Sequence, residues 1–381
     1  METHVEQERA HFVAAYASGR WTMVELCERF GISRPTGYKW VTRGAAALAN
    51  ASRAPHVSPQ ATPAALVARV VAARQQYGWG ATKLLTVLRT QDPTQAWPAR
   101  STINDILDRH RLLEKRRRRG RWHHPGAAPL QTTAPNDVWP ADFKGEFKTG
   151  DGVYCYPLTV TDHFSRRLLA CQGLTGTAGL GTQRVFRALF REVGLPVAIR
   201  TDNGAPFAAA GRCGLTQLSA WWIRLGIVHQ RIRPASPQEN GSHERMHREL
   251  KRETARPAAA TARQQQERFD AFRQRYNAER PHEALDLACP DTRWRPSPRP
   301  YPERLAAPEY PAHSEVRRVS AKGAVSLRGQ FLFVSEVLAG EWLGLEEVDD
   351  RVWNVVYYQT LLGRIDEQTR TFTGGRSTAT V

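Results

Sequence analysis

The sequence predicts a multidomain protein with an all-α amino-terminal part, a central mixed α/β domain and a small β domain near the carboxyl terminus. Three observations predict this order. Helical apolar periodicity dominates the first third of the chain, strand and helix patterns alternate between 135 and 289, and short strand patterns without a helix follow from 314 to 366. At 381 residues the chain is long enough for about two to four domains.

The balance of charge points to a polyanionic partner. Lys and Arg number 54 against 37 Asp and Glu, which gives a formal net charge of +17. A protein with this excess of positive charge is expected to bind nucleic acid. A basic surface without a specific partner is the alternative.

The sequence also argues against membrane and disulfide-dependent classes of protein. It contains no apolar run of about 18 residues, so no membrane association is expected. The five cysteines are scattered without a paired Cys-x-x-Cys motif, which argues against a zinc finger and a disulfide framework. We therefore expect a cytoplasmic location.

Residues 1–50 are predicted to form a helix-turn-helix DNA-binding domain. Gly31 permits a turn between two short amphipathic helices, and Ser33 is positioned to cap the second. A plain helical hairpin is the alternative. The second helix would present four polar side chains to DNA: Arg34, Thr36, Lys39 and Arg43.

Residues 56–125 are predicted to form a second helix-turn-helix domain that ends in a basic linker. The preceding stretch is rich in Pro, Ser and Ala, and three helices follow, the last capped by Ser101. The basic run is expected to follow a DNA backbone, with a solvated charged tail as the alternative. Its arginines are Arg116, Arg117, Arg118 and Arg119.

The remaining boundaries follow from changes in pattern. Residues 130–289 are predicted to form the central α/β domain, with three strands first and then alternating helices and strands. Residues 290–312 hold seven prolines and are predicted to be an extended linker. Residues 313–366 are predicted to form a small β-barrel, and residues 367–381 a flexible tail.

Three carboxylates form the candidate catalytic site. Asp142 lies in the first predicted strand, and Asp202 ends a short buried strand just before an Asn-Gly turn, although Asp202 alone is equally explained as a turn residue. Glu244 lies one turn into a later helix, where helix geometry places Arg248 and Lys251 on the same face. That face offers a carboxylate for metal and cations for phosphate.

Such a set suits phosphoryl transfer with divalent metal. Mg²⁺ prefers oxygen ligands, and two ions can activate the attacking oxygen and stabilise the leaving oxygen of an in-line displacement. We expect Asp142, Asp202 and Glu244 to hold two Mg²⁺ ions, for which Mn²⁺ would substitute. Spacing alone leaves this open, because three acids can be found in any chain.

Four motifs in order, "WPADFKG", "TDHFSRRLLA", "IRTDNGAPF" and "SPQENGSHERMHRELKRE", resemble the integrase-core transposases of bacterial insertion sequences. That family belongs to the retroviral-integrase superfamily, with an RNase-H-like fold and an Asp-Asp-Glu triad. The resemblance places the triad on Asp142, Asp202 and Glu244 and the family's lysine on Lys251. The spacing from Asp202 to Glu244 is longer than usual, and helix-turn-helix units replace the zinc module of retroviral integrases.

The resemblance implies a DNA transposase that binds the terminal inverted repeats of a mobile element and cuts and joins strands into target DNA. It also implies a homo-oligomer on DNA, because an element has two ends, and a location at the bacterial nucleoid. The alternatives are a non-catalytic DNA-binding regulator and an RNase-H-like nuclease without joining activity.

Three neighbouring side chains are given structural interpretations. Asp162 is expected to be a turn residue at a strand end. His243 and His247 flank Glu244; His243 is expected to be an exposed helix residue, with a contact to phosphate or assistance of proton transfer as the alternatives.

Overall fold

The computed structural model describes residues 2–44, 48–49, 61–113, 132–209, 211, 213–232 and 241–374. It divides into two compact units, Met1–Ala64 and Ala65–Val381, which are described separately. In these described ranges, no helix combines the length and apolar character that a membrane crossing requires.

The amino-terminal unit contains three helices: α1 (Glu2–Ala17), α2 (Met23–Arg29) and α3 (Arg34–Arg43). Phe12, Met23, Leu26 and Cys27 form its buried core. Gly31 has a φ of 61° between α2 and α3, which glycine adopts without strain. The predicted helix-turn-helix arrangement is therefore confirmed, with α1 added in front of it.

Two local details of this unit differ from expectation. The Ser33 hydroxyl lies 2.9 Å from the hydroxyl of Thr36 and makes no capping bond to the backbone of α3. The stronger cap belongs to α2, where Thr22 and Glu25 bond each other's backbone in a capping box.

Gly37 lies where α3 packs closely on α1 and α2. A Cβ atom there would lie 2.8 Å from Met23 Sδ, 2.9 Å from Cys27 Sγ and 2.9 Å from Phe12 Cζ. We expect Gly37→Ala to overpack this small core and destabilise the unit by about 1–3 kcal/mol. Hydrogen exchange of the full chain should show faster exchange throughout α1–α3. Gly80→Ala is the control, because a Cβ atom at Gly80 would have no neighbour within 4 Å. Equal increases in hydrogen exchange of α1–α3 in the two variants would contradict this account.

The second unit begins with the predicted second helical region. Its helices are α4 (Ala64–Tyr77), α5 (Ala81–Gln91) and α6 (Arg100–Arg109). Leu84, Ile103, Ile106 and Leu107 are buried between them. The expected cap at Ser101 is wrong: the helix begins at Arg100, so Ser101 lies inside its first turn.

The central sheet has the strand order β4-β3-β1-β5-β6, with the short β2 also paired to β3. β1 pairs antiparallel with β3, whereas β1, β5 and β6 run parallel. The strands are β1 (Val138–Phe143), β2 (Phe147–Lys148), β3 (Tyr154–Thr161), β4 (Leu168–Leu174), β5 (Ala198–Thr201) and β6 (Val228–Arg231). The five strands expected along the chain and the mixed sheet are confirmed, and β2 is an additional short strand.

Helices pack against both faces of this sheet. They are α7 (Gly179–Val193), α8 (Gln217–Arg224), α9 (Gly241–Thr254) and α10 (Ala262–Ala278). Trp139, Phe190 and Trp222 belong to a core that joins the sheet to α7 and α8. Leu250 and Phe269 belong to a separate core between β4, α9 and α10. Because strand side chains alternate between faces, the same strands supply both cores.

The proline-rich segment 290–312 is extended but docked, which differs from a free spacer. Trp294, Tyr301 and Leu305 pack on the sheet core. The Leu195 N–H donates to the Arg299 carbonyl at 2.7 Å, as an added strand would do. The apolar side chains between the prolines supply the burial that a free linker lacks.

The carboxyl-terminal region forms two antiparallel sheets without the expected closed barrel. One sheet has the order β13-β12-β11-β10-β7, and β8 pairs with β9 in the other. The strands are β7 (Glu315–Arg318), β8 (Ala324–Leu327), β9 (Gln330–Phe333), β10 (Trp342–Asp349), β11 (Val352–Tyr357), β12 (Thr360–Asp366) and β13 (Thr371–Gly374). β13 lies in the segment expected to be a flexible tail, where it pairs with β12. Ala220 and Ile223 of α8 complete the core of this region.

Candidate active site

Asp142 and Asp202 lie at the carboxyl ends of two neighbouring parallel strands. Pro140 of β1 is the register partner of Arg200 of β5, so each aspartate lies two residues beyond a paired position. Trp139 belongs to the core under α7 and α8. Alternation therefore directs the even-numbered positions of β1, including Asp142, towards the opposite face, where α9 lies.

Asp202 takes part in the turn that follows β5. Its Oδ1 accepts the Gly204 N–H at 3.2 Å, and Asn203 Nδ2 donates to the Ile232 carbonyl after β6 at 2.9 Å. The turn interpretation is therefore correct, but it does not exclude a second role. An ionised carboxylate has two oxygens and about four lone pairs, and the turn uses one of them.

Glu244 lies in the first turn of α9, on its exposed side. The neighbouring His243 and His247 are 1% and 6% exposed, so the expectation that His243 is an exposed helix residue is wrong. Together with Met246 and Leu250 they form the buried stripe of α9 at the spacing i, i+3, i+4, i+7. Packing of this stripe on the sheet fixes the position of Glu244 relative to Asp142.

Thr159 of β3 joins the two histidines to the strand of Asp142. It is the register partner of Asp142, and its hydroxyl donates to the Asp142 carbonyl at 3.1 Å. The same oxygen lies 2.7 Å from Nε2 of His243 and 2.7 Å from Nε2 of His247. A hydroxyl has one proton, and the carbonyl can only accept it. Both imidazoles must therefore donate their Nε2 protons to Thr159.

Burial favours the neutral form of both rings. It lowers the pKa of His243 to about 3 and the pKa of His247 to about 2, with a further contribution to His247 from His243. Nδ1 of His247 lies 3.8 Å from Oδ2 of Asp142. Asp142, His243 and His247 thus offer ligand atoms within 4.8 Å of one another.

The two other acids of α9 are neutralised by arginines. Glu249 pairs with Arg280, and Glu253 accepts from Arg275 at 2.6 Å. For Glu244, by contrast, no hydrogen bond or ion pair forms with any residue that the structure describes. The helix therefore has one carboxylate available for a ligand.

A basic cavity of about 930 Å³ adjoins Glu244. Cationic side chains predominate among the described residues that line it: Lys83, Lys144, Arg166, Arg245, Arg248, Lys251, Arg252, Arg256 and Arg280. Burial, and after it repulsion from neighbouring arginines, chiefly Arg280, lowers the pKa of Lys83 to about 8. A polyanion would relieve this repulsion.

Several of these cations were missed by sequence reasoning. Lys83 is on α5, Lys144 follows β1, and Arg166 and Arg280 lie outside the quoted helix motif. No local pattern distinguishes them, because only the tertiary fold brings them beside Glu244. Arg248 and Lys251, which helix geometry had grouped with Glu244, do line the cavity.

The remaining predicted residues have simpler placements. Arg34, Thr36, Lys39 and Arg43 lie on α3, with the charged members exposed. Arg116–Arg119 lie outside the described residues. Asp162 is buried and accepts from the Asn136 and Ser165 N–H groups, as expected for a turn residue. Burial raises its pKa.

Comparison with known families identifies two kinds of domain. The description "Integrase core domain" matches residues 132–237 and 225–290 through two models, and "Homeodomain-like domain" matches residues 3–48. These segments coincide with the central sheet and with α1–α3.

Individual relatives agree with this result. The chain is 30% identical over 159 residues to a 31.7 kDa protein of insertion element IS407 of Burkholderia multivorans, over 41% of this chain and 54% of that protein. It is 31% identical over 241 residues to a 39.2 kDa protein of insertion element IS476 of Xanthomonas euvesicatoria, over 61% of this chain and 66% of that protein. It therefore spans less than two thirds of either relative.

Among solved structures, the chain is similar to the HTLV-2 integrase catalytic core domain in complex with magnesium. The identity is 15%, the match covers 43% of this chain and 99% of that one, and the TM-score is 0.34. The chain is therefore similar to the integrase core domain over residues 132–290, to a homeodomain-like domain over residues 3–48, and to proteins of bacterial insertion elements.

Proposed function

We propose that the protein is a DNA transposase that binds the ends of a mobile element and catalyses metal-dependent strand cleavage and strand transfer. The observation that carries this proposal is the placement of Asp142 and Asp202 at the carboxyl ends of adjacent parallel strands, together with the exposed Glu244, which lines a basic cavity. Carboxylates suit Mg²⁺, and the cations suit the phosphate groups of DNA.

Asp142, Asp202 and Glu244 would hold two Mg²⁺ ions, for which Mn²⁺ would substitute. When bound, such ions supply Lewis-acid stabilisation of the charge that develops on the attacking and leaving oxygens. Arg248 and Lys251 would bind the phosphates that flank the reacting bond and hold the strand in line with its attacker. The buried His243 and His247 keep α9, and therefore Glu244, fixed on the sheet.

Recognition of the element's ends would lie in α3, whose exposed Arg34, Lys39 and Arg43 suit a DNA groove. The second helical region would supply further backbone contacts through Lys83, which lines the cavity beside Glu244. Because both ends must be held together, the active form on DNA would be a homo-oligomer.

A strand-transfer assay tests the proposal against its two alternatives. The full chain, Mg²⁺ and a labelled duplex of the element's end should give joined products in a target plasmid. A DNA-binding regulator would give complexes without cleavage, and an RNase-H-like nuclease would give cleavage without joining. Either result would contradict the transposase assignment.

DNA affinity should depend on pH through Lys83. Because the pKa of Lys83 is lowered to about 8, its positive charge is lost as pH rises through that value, and phosphate binding is lost with it. We expect affinity for duplex DNA to fall between pH 7 and pH 9 in the wild type. Lys83→Arg, which stays charged, should remove this part of the dependence.

The matched control is Lys322→Arg, at an exposed lysine of the carboxyl-terminal region. It should keep the wild-type pH profile. In addition, Lys83→Ala should reduce the salt dependence by roughly 0.9 in slope for one lost phosphate contact. An unchanged slope and pH profile in both Lys83 variants would remove Lys83 from the DNA-binding surface.

A further inference from the structure

The buried histidine pair beside Asp142 differs in how its two members are bonded. Nε2 of His243 donates to Thr159, and its Nδ1 lies 3.3 Å from the Thr161 hydroxyl. Both nitrogens of His243 are thus used in hydrogen bonds. Nε2 of His247 also donates to Thr159. In a neutral ring this leaves Nδ1 of His247 with a lone pair and no proton.

That lone pair lies 3.8 Å from Oδ2 of Asp142, which is also an electron-pair donor. The separation exceeds the length of a hydrogen bond. One metal ion holds nitrogen and oxygen ligands at about 2.0–2.2 Å, so two of its ligands are at most about 4.3 Å apart. The distance between the two atoms therefore fits two ligands of a single cation.

We propose that Nδ1 of His247 is a metal ligand that shares one divalent cation with Asp142. His243 is then a positioning residue, which holds Thr159 and through it the ring of His247. This assignment rests on the proposed function, since Asp142 is the common ligand. It adds an imidazole nitrogen to a site otherwise made of carboxylates, and imidazole favours first-row transition ions relative to Mg²⁺.

Mn²⁺ bound to the full chain without DNA provides the test, because electron spin-echo modulation detects a nitrogen coordinated directly to Mn²⁺. We expect nitrogen modulation in the wild type and its loss in His247→Ala, with Mn²⁺ affinity reduced at least about tenfold. His243→Ala removes a positioning residue and not a ligand, so it should keep the nitrogen modulation and lower Mn²⁺ affinity less than His247→Ala does.

His247→Gln guards against failure of His247→Ala to fold, because the Gln amide nitrogen can take the position of Nε2 and donate to Thr159, while the side chain provides no imidazole nitrogen. It should also lose the modulation while melting near the wild-type temperature. Modulation that persists in His247→Gln, or that is absent from wild-type protein with bound Mn²⁺, would overturn the assignment. Strand transfer in Mg²⁺ is measured separately. A wild-type protein that joins strands but shows no nitrogen modulation would contradict the His247 ligand and leave the proposed function supported.

Discussion

Replacing Asp202 with Asn is expected to abolish strand cleavage and joining while leaving binding to the element's end unchanged. Asn keeps an oxygen that can accept the Gly204 N–H, so the turn after β5 should be retained. What is lost is the negative charge that would hold metal beside Asp142. Metal-bound charge stabilisation contributes several kcal/mol, which corresponds to a loss of roughly 10³-fold or more in rate.

The matched control for this substitution is Asp151→Asn. Asp151 is also a turn aspartate, whose Oδ1 accepts the Val153 N–H at 3.3 Å and the Thr149 hydroxyl at 2.5 Å. It lies in the turn before β3, away from the ends of β1 and β5. The Asp151→Asn variant should therefore retain full strand transfer in Mg²⁺. Joining by Asp202→Asn at more than a few per cent of the wild-type rate would show that Asp202 is a turn residue alone.

The strand-end aspartates could be predicted because their signal is local. A short buried strand followed at once by Asp and an Asn-Gly turn fixes the position of Asp202, and parallel pairing brings it beside Asp142. The face of Glu244 followed from helix geometry in the same way. Each inference needs only the period of a single element.

The histidine network could not be predicted by that reasoning, because it depends on which residue of β3 faces α9. A signal was present all the same: His243, Met246, His247 and Leu250 have the spacing of a buried helical stripe. A histidine at a stripe position is more consistent with burial than with exposure. It then requires polar partners, which Thr159 and Thr161 supply.

The errors at the carboxyl end arose from composition. Seven prolines predicted an extended linker in 290–312; the segment is extended, but Trp294 and Tyr301 within it pack on the sheet core. Short strands predicted a closed barrel, but alternation within strands does not determine whether a sheet closes. Contacts between distant parts of the chain decided both features.

Thr159→Val is expected to have the largest effect on stability among the site substitutions. Valine has nearly the shape of threonine but cannot accept the Nε2 protons of His243 and His247, which are buried. Each buried donor without a partner costs about 1–3 kcal/mol, so the free energy of unfolding should fall by roughly 2–6 kcal/mol. Thr159→Ser keeps the hydroxyl and should lose only about 1 kcal/mol for one methyl group.

Strand-transfer activity should fall more in Thr159→Val than in Thr159→Ser, as stability does, because the Thr159 hydroxyl also holds α9 against the strand of Asp142. A displacement of about 1 Å at an active site can reduce the rate about 10²-fold. Thr159→Val should therefore lose strand transfer even at temperatures where circular dichroism shows it folded, whereas Thr159→Ser should remain active. If serine and valine variants lost stability and activity equally, the methyl group would be the important part of Thr159. The hydrogen-bond count that fixes both histidine tautomers would then be wrong.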